Sequence, residues 1–386
     1  MAGSRTRERR QRNKPQFFFD YTLLFIVLFL LCFGLVMLYS TSAYDGNLKF
    51  GDSSYYLKKQ MLASIIGVVV MVVVAIVDYH FWEHFAMIAY IVSAVLIALV
   101  LTPLGYSANG ARRWLNLGLS LQPAEVAKVG MIIFFAALVC KMGGRIRTSQ
   151  GFLFTIAWAV PIAGEILIIT RNLSSAIIIF GIVLMMLFVA SPNYKGYILA
   201  AIVTLFIAAV IVLAIAKGII PEDLSYRFAR IKAWLNPEAY ASGTGFQTLQ
   251  ALYAIGSGGL FGKGLGASMQ KLGFIPEAQN DMIFSIICEE LGLFGAIAII
   301  MLFVLLVWRF MVIANNAPDL FGALLVVGTM AHISIQVILN IAVVTNSIPN
   351  TGITLPFISY GGSSIVFLLA EIGLVLSVSR GIRLEK

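Results

Sequence analysis

Apolar residues in this chain come in long unbroken runs rather than at the alternating spacings of a soluble core. Ten runs can be marked, at 17–42, 60–77, 84–103, 122–141, 151–170, 173–190, 194–217, 281–308, 320–345 and 359–379. Most reach ~20 residues, which as helix crosses the ~30 Å of hydrocarbon in a bilayer. The pattern predicts an all-α polytopic membrane protein with ten transmembrane helices. The fifth and sixth runs meet at Thr170-Arg171-Asn172-Leu173-Ser174, which leaves very little chain for a turn. One long interval, 218–280, is too polar for hydrocarbon and is held between the seventh and eighth runs.

Within that interval a second periodicity emerges. Phe228, Ile231, Trp234 and Leu235 recur at helical spacing with Arg227 and Arg230 on another face, the pattern of a helix lying in the membrane interface. Asn236-Pro237 ends it. A further stripe, Phe246, Leu249, Leu252 and Tyr253, predicts a short helix dipping toward the membrane. The interval therefore reads as a structured lid.

Composition agrees with the membrane reading: 60% of the 386 residues are hydrophobic and 12% charged, with a mean hydropathy of +0.93. The net charge of +9 fits the positive-inside bias better than nucleic-acid binding. An even number of spans puts both ends on one side. Taking that side as cytoplasmic gives it Arg5, Arg7, Arg9, Arg10, Arg12 and Lys14, then Lys141, Arg145, Arg147, Lys195, Arg309, Arg380, Arg383 and Lys386. The expected topology is N-in, C-in: a basic cytoplasmic tail at 1–16, one membrane body over 17–380 with the loop 218–280 outside, and a short tail at 381–386. The first run is too long for a signal-peptide core and shows no small-residue cleavage site, so it is expected to stay as a helix. Cys32, Cys140 and Cys288 fall inside apolar runs, as core thiols rather than a disulfide framework. No internal repeat stands out.

Charge inside hydrocarbon costs ~2.5 to 3.5 kcal/mol per residue on insertion scales, so each such group needs a partner or a task. Glu125, Lys128, Glu165, Glu289, Glu290 and Glu371 qualify. Glu125 and Lys128, three apart on one helix, suit either a buried ion pair or the wall of a polar cavity. Glu289 shares a helix face with Asp281, while Glu290 is rotated away; Glu165 and Glu371 are expected to be structural. Asp281 itself follows the polar turn Pro276-Glu277-Ala278-Gln279-Asn280 at the mouth of the eighth run. Two roles fit it: a helix cap, or a general base if apolar surroundings raise its pKa and a hydroxyl comes within reach.

The run Gly256-Ser257-Gly258-Gly259-Leu260-Phe261-Gly262-Lys263-Gly264-Leu265-Gly266 does not encode a nucleotide site. A Walker A motif needs a glycine where Ser257 stands and Ser or Thr where Gly264 stands, and Ala267-Ser268 after Gly266 breaks GxGxxG. Glycines beside Lys263 suit either close backbone approach to an anion such as a pyrophosphate or tight turns under a lid. Asn109-Gly110-Ala111-Arg112-Arg113-Trp114-Leu115 sets two guanidinium groups beside an aromatic at the membrane edge, for phosphate binding or simple anchoring. Residues 347–364 are rich in Pro and Gly, a backbone tolerated near membrane depth only where protein or a wet cavity surrounds it.

Four separated motifs then resemble one family in the same order: Asn109-Gly110-Ala111-x-Arg113-Trp114, Gln122-Pro123-Ala124-Glu125-x-x-Lys128, Pro276-Glu277-x-x-x-Asp281 with Glu289-Glu290-Leu291-Gly292, and Leu355-Pro356-Phe357-x-Ser359-Tyr360-Gly361-Gly362-Ser363. They are similar to the SEDS family (shape, elongation, division and sporulation) from Tyr21 to Arg380. Leu272–Gln279 and Asn172–Ser175 look closer to its division and sporulation branch (FtsW, SpoVE) than to RodA. The resemblance implies ten transmembrane helices in the bacterial plasma membrane and polymerisation of lipid II into glycan strands on the extracellular face. It also implies a class B penicillin-binding protein as partner. By the same resemblance Asp281 is the essential aspartate, Trp114 the outer-loop tryptophan, and Glu125 and Lys128 the intramembrane pair, with Ser359 and Gly361 as further candidates in the last motif. Two places depart from the pattern: Gln279-Asn280 replaces the usual His-Thr, and Arg171-Asn172-Leu173-Ser174 replaces Pro-Asp-Leu-Gly.

The expected chemistry is an inverting glycosyl transfer with Asp281 as base and Lys263, Arg113 and Arg227 toward the pyrophosphate; a divalent cation such as Mg2+ or Mn2+ is left open. A competing reading is a flippase for the lipid-linked precursor, dependent on the intramembrane charges. A third is a scaffold that only positions its partner.

Overall fold

A computed structural model of the protein describes residues 16, 17, 19–108, 111–116, 120–191, 196–198, 202, 206, 209, 210, 212–215, 217 and 226–384. Its helices are α1 (Tyr21–Phe50), α2 (Tyr55–Ile76), α3 (His80–His84), α4 (Ala86–Leu99), α5 (Pro123–Met142), α6 (Ser149–Ile168), α7 (Leu173–Ala190), α8 (Tyr226–Leu235), α9 (Phe246–Gly258), α10 (Ile283–Asn315), α11 (Leu320–Val344) and α12 (Gly362–Gly381). Eight of these, counting α5 with the 3-10 turn that continues it to Arg147, are long and apolar enough to cross a membrane; α4 is a shorter apolar helix. The chain is a multi-pass membrane protein. Half of the seventh predicted span, 194–217, lies outside the described residues.

At four helix starts a capping side chain, rather than the edge of hydrophobicity, sets the boundary. Asp20 accepts from the Leu23 N–H at 2.8 Å and starts α1. The helix then continues eight residues past the predicted end at 42, through Asp45 and Lys49, which pair at 2.7 Å one turn apart. Gly51 stops it with φ 68°. The tight turn between α6 and α7 is closed by Arg171 at φ 51° and by Asn172, whose side chain accepts from Ser175 N–H at 3.1 Å.

The architecture is mostly helical, consistent with an all-α polytopic membrane protein, with two small sheets added at its ends. Strands β2 (Gly105–Ala108), β3 (Ala111–Asn116) and β4 (Ser120–Leu121) form a three-stranded antiparallel sheet at one end of the bundle. Leu115 is fully buried beneath it, and Arg112 ties it down by donating to the carbonyls of Gly105 (3.1 Å) and Thr102 (2.5 Å). At the opposite end β1 (Gln16–Phe17) pairs antiparallel with β5 (Arg383–Leu384), bringing the two ends of the described chain together. That end is also held by an ion pair between Asp20 and Arg309 (Nε to Oδ2 3.0 Å), by Tyr79 donating to Asp319 at 2.5 Å, and by Arg380 donating to the Ala75 carbonyl at 2.8 Å.

At the centre, α11 packs on α5, α7, α10 and α12, and α12 lies along α2. The thiols do not share one environment: Cys288 is buried, Cys140 partly buried and Cys32 exposed on the outer surface of α1.

Candidate active site

The described part of the loop, 226–280, is built on the bundle. α8 occurs where the apolar periodicity predicted it, and it docks on the segment after α11: Trp234 donates its indole N–H to the Asn346 carbonyl (2.9 Å) and Arg230 donates to the Asn350 carbonyl (3.1 Å). α9 lies on α10, but through Thr248, Ala251, Ala254 and Gly258. The predicted stripe of Phe246, Leu249, Leu252 and Tyr253 is not the packed face, since Tyr253 is 52% exposed. Small residues win because the backbones nearly touch: a Cβ on Gly258 would sit 2.0 Å from the Cys288 carbonyl oxygen.

The glycine run repairs a broken helix. α10 is interrupted at Gly292 (φ 68°, ψ −167°), which frees backbone groups on both sides of the break. Lys263 and Gly264 N–H groups donate to the carbonyls of Glu289 and Glu290 (2.9 Å each), while Leu293 and Phe294 N–H groups donate to Gly259 (2.9 Å) and Leu260 (3.2 Å). Side chains repeat the arrangement. The Lys263 ammonium lies 2.7 Å from Glu289 Oε1 and Lys271 2.7 Å from Glu290 Oε1, and both carboxylates are fully buried. The anion that the glycines and Lys263 approach is therefore Glu289 of the protein itself. These groups belong to the fold, and the pyrophosphate assignment of Lys263 is corrected accordingly.

Asp281 lies just ahead of α10. The cap position is Met282, with no side-chain cap bond, so the helix-cap role is not the one the fold uses. Instead the carboxylate faces a ring of groups from three other segments. Gln247 of α9 donates to Oδ1 at 3.4 Å and to the Pro276 carbonyl at 3.0 Å. Its own carbonyl oxygen accepts from Asn350 at 2.9 Å, and Asn350 Oδ1 accepts from Gly352 N–H at 3.0 Å. Gly352 adopts φ 69° beside Oδ2, where a Cβ would come within 3.8 Å of the carboxylate. From below, Asn340 of α11 donates to the Asp281 carbonyl (2.8 Å) and the Ile353 carbonyl (2.7 Å). Removal of the carboxyl from water pushes its pKa from the ordinary 3.8 up to about 7. Glu277 adds to this, while Arg230 and the Gln247 hydrogen bond oppose it.

The other expected site residues fall into two groups. Glu125 and Lys128 pair at 2.8 Å inside a buried chain that sequence reasoning traced only in part. Ser364 donates to Glu125 (3.1 Å), Lys128 donates to Gln336 (3.3 Å), and Gln336 donates to the Thr354 carbonyl (3.0 Å). His332 bridges Gln336 (2.9 Å) and Glu371 (2.8 Å). Ser359 accepts from Leu355 N–H (2.8 Å) and Gly361 N–H donates to Gln60 (3.1 Å), so both shape the loop before α12. Trp114 stands opposite Tyr106 in the sheet. Arg113 donates to the carbonyls of Thr170 (3.2 Å) and Arg171 (3.3 Å); four residues on from Thr170, Ser174 donates to the Thr351 carbonyl (2.8 Å). The Arg227 side chain lies outside the described residues, as do Asn109 and Gly110. Gln279 reaches Asp45 (3.5 Å) and Asn280 reaches Glu277, so neither unusual residue bonds to the Asp281 carboxylate. Among the described residues no three His, Cys, Asp or Glu side chains converge as a metal cage. An apolar cleft of about 300 Å³ opens between α9 and α10, lined by Ile255, Gly256, Gly259, Leu260, Cys288, Leu293 and Ala296, apart from the polar groups around Asp281.

Comparison with known proteins gives a consistent picture. The sequence profile of the FtsW, RodA and SpoVE family, described as cell cycle proteins, matches residues 21–384. Stage V sporulation protein E of Bacillus subtilis (strain 168) is 40% identical over 94% of this chain and 97% of its own length. A probable peptidoglycan glycosyltransferase FtsW of Trichlorobacter lovleyi is 38% identical over 95% of this chain and 94% of its own. Among solved structures, a chain from work on the structural coordination of polymerization and crosslinking by a peptidoglycan synthase complex superposes with a TM-score of 0.77. It is 28% identical, over 94% of this chain and 98% of that one.

Proposed function

Since the chain belongs to the FtsW, RodA and SpoVE family of cell cycle proteins, we propose that it is a peptidoglycan glycosyltransferase that polymerises lipid II in cell division or related wall synthesis. It does so in complex with a class B penicillin-binding protein. The observation that carries this reading is Asp281: a partly enclosed carboxylate with its pKa raised to about 7, among hydrogen-bonding groups at the loop end of the bundle. In this reading ten crossings make up one body over 17–380, with α4 and the segment 194–217 as the two beyond the eight long helices. The tails 1–16 and 381–386 are cytoplasmic, and Asp281 faces outward with the loop 218–280.

The chemistry follows from a single positioned base. Asp281 accepts the proton of the 4-hydroxyl of the acceptor sugar, whose oxygen attacks C1 of the growing strand. The C1–O bond to polyprenyl pyrophosphate breaks from the opposite face, giving inversion with one displacement. A base with a pKa near ambient pH combines a populated charged form with useful basicity, and burial supplies that tuning here. The leaving pyrophosphate needs cations. Arg113 and Arg227 remain candidates, and Arg230, whose charge acts on Asp281, joins them in place of Lys263. Trp114 beside Arg113 contributes an aromatic face for the substrate.

Only the ionised carboxylate accepts a proton, so the rate rises with pH through about 7 and levels above it. Purified protein with its partner, supplied with lipid II, should give glycan polymer along that profile. Asp281→Asn should give none. Normal polymerisation by that variant would end the reading.

A further inference from the structure

The ring around Asp281 depends on one residue that the reaction does not touch. Asn340 is fully buried, and its amide points at two carbonyls, Asp281 (2.8 Å) and Ile353 (2.7 Å). Because both neighbours are acceptors, the amide nitrogen must face them; no other orientation supplies donors. Its oxygen is left buried without a hydrogen-bond partner. Asn340 thus commits its whole donor capacity to two stretches of backbone more than seventy residues apart in sequence.

Those two stretches need an external clip. Residues 276–281 form turns and 349–355 neither helix nor strand, so no regular ladder joins them, yet the second stretch carries Asn350 and Gly352, two members of the ring around the carboxylate. One helical turn down α11, Gln336 repeats the clip at the next residue of the strap, donating to the Thr354 carbonyl (3.0 Å) and hydroxyl (3.3 Å). Gln336 is itself oriented: its side-chain oxygen accepts from Lys128 (3.3 Å) and lies 2.9 Å from His332 Nε2. The intramembrane charges therefore reach Asp281 through two amide side chains four residues apart on one helix.

We propose that Asn340 is the positioning residue of the site, clipping the Asp281 turn to the 350–354 strap so that the ring closes on the carboxylate, with Gln336 and the Glu125–Lys128 pair holding the lower end of the same strap. The inference rests on Asp281 being the base, and its test must separate the two claims. Among the described residues, the charged groups acting on Asp281 are Glu277 on its own turn and Arg230 on α8; α9 presents the neutral Gln247 and α11 the neutral Asn340.

The test compares wild type, Asn340→Leu and Asn340→Ser as full chains in complex with the penicillin-binding partner, on lipid II. Asn340→Leu keeps the size and removes both donors; Asn340→Ser keeps one and guards against a variant that fails to fold. Positioning predicts a kcat lower by roughly tenfold or more in Asn340→Leu, with KM within about twofold, since loss of alignment alone can cost on that scale. The acid limb of the rate profile should move to lower pH as water reaches the carboxylate. Backbone hydrogen exchange should rise at both 276–283 and 350–356, with Asn340→Ser intermediate. If activity falls only in proportion to folded protein, while the acid limb and the exchange at both segments stay at wild-type values, the proposal is overturned. Should Asp281→Asn polymerise normally, the base assignment falls, and the exchange result alone then decides the clip: a rise at both segments supports it, no rise overturns it.

Discussion

Burial of the Asp281 carboxylate makes the folded protein less stable than it would be with a neutral group there, and Asp281→Asn measures by how much. The side chain keeps its shape, and its oxygen can still accept from Gln247, which lies 3.4 Å from Oδ1. Only the charge is lost. The folded pKa of about 7 lies above the ordinary 3.8, so the fold favours the protonated acid. Below about pH 4 the carboxyl is protonated in both states and no penalty exists; between about 4 and 7 the unfolded chain ionises first and the penalty grows; above 7 it is complete. Three units at 1.36 kcal/mol each give about 4 kcal/mol, and the partial opening of the site to water brings this to roughly 2–4 kcal/mol. For a chain of this size that corresponds to a rise in Tm on the order of 4 °C in Asp281→Asn at pH 8, shrinking toward zero at pH 4. Thermal unfolding in detergent at a fixed scan rate, read by intrinsic fluorescence across that pH range, is the assay. A variant no more stable than wild type at pH 8, or equally stabilised at both pH values, would refute the tuned-carboxylate argument even if catalysis were lost.

The remaining expectations concern the charge chain and the strap. Lys128→Met leaves Glu125 buried without its 2.8 Å partner and should cost about 3–5 kcal/mol, whereas the double variant with Glu125→Gln should recover most of it in thermal unfolding. If wild type moves the lipid-linked precursor across vesicles but makes no glycan polymer, and the folded double variant loses that translocation, the flippase reading gains over the polymerase. Gly352→Ala must hold an alanine at φ 69° with its methyl near the Asp281 carboxylate; a loss of about 1–2 kcal/mol in stability is expected, with a larger fall in polymerisation rate than Gly243→Ala, where a Cβ meets open space.

Much of the bundle was legible because hydrocarbon thickness imposes its length on the sequence. Boundaries were less so. Nothing in the composition of Ser42–Phe50 demands a helix, and only Gly51 in its left-handed conformation marks where α1 ends. The three-stranded sheet had a signal, Asn109-Gly110 between two short segments, which is a hairpin dipeptide. The glycine run could not be resolved from sequence, because its role is to satisfy backbone groups freed by a helix break at Gly292, and a break in another segment leaves no trace in the run itself. His332, Gln336 and Asn340 were missed for a different reason. They recur every fourth residue on one face of α11, a readable polar stripe, but neutral side chains carry no formal charge to mark them as costly in hydrocarbon. Asp281 itself was legible as a position, while the burial that raises its pKa comes from segments that fold back from places remote in sequence.

The splice at Gly292 also constrains how this protein can move. Four main-chain bonds and two ammonium–carboxylate contacts weld the segment 259–271 into the interior of a long apolar helix. Pulling that segment aside would strand amides in a solvent that offers them nothing in return. Loop and helix must therefore travel together, so a pull on that segment is delivered straight down the axis of α10, which begins two residues from Asp281.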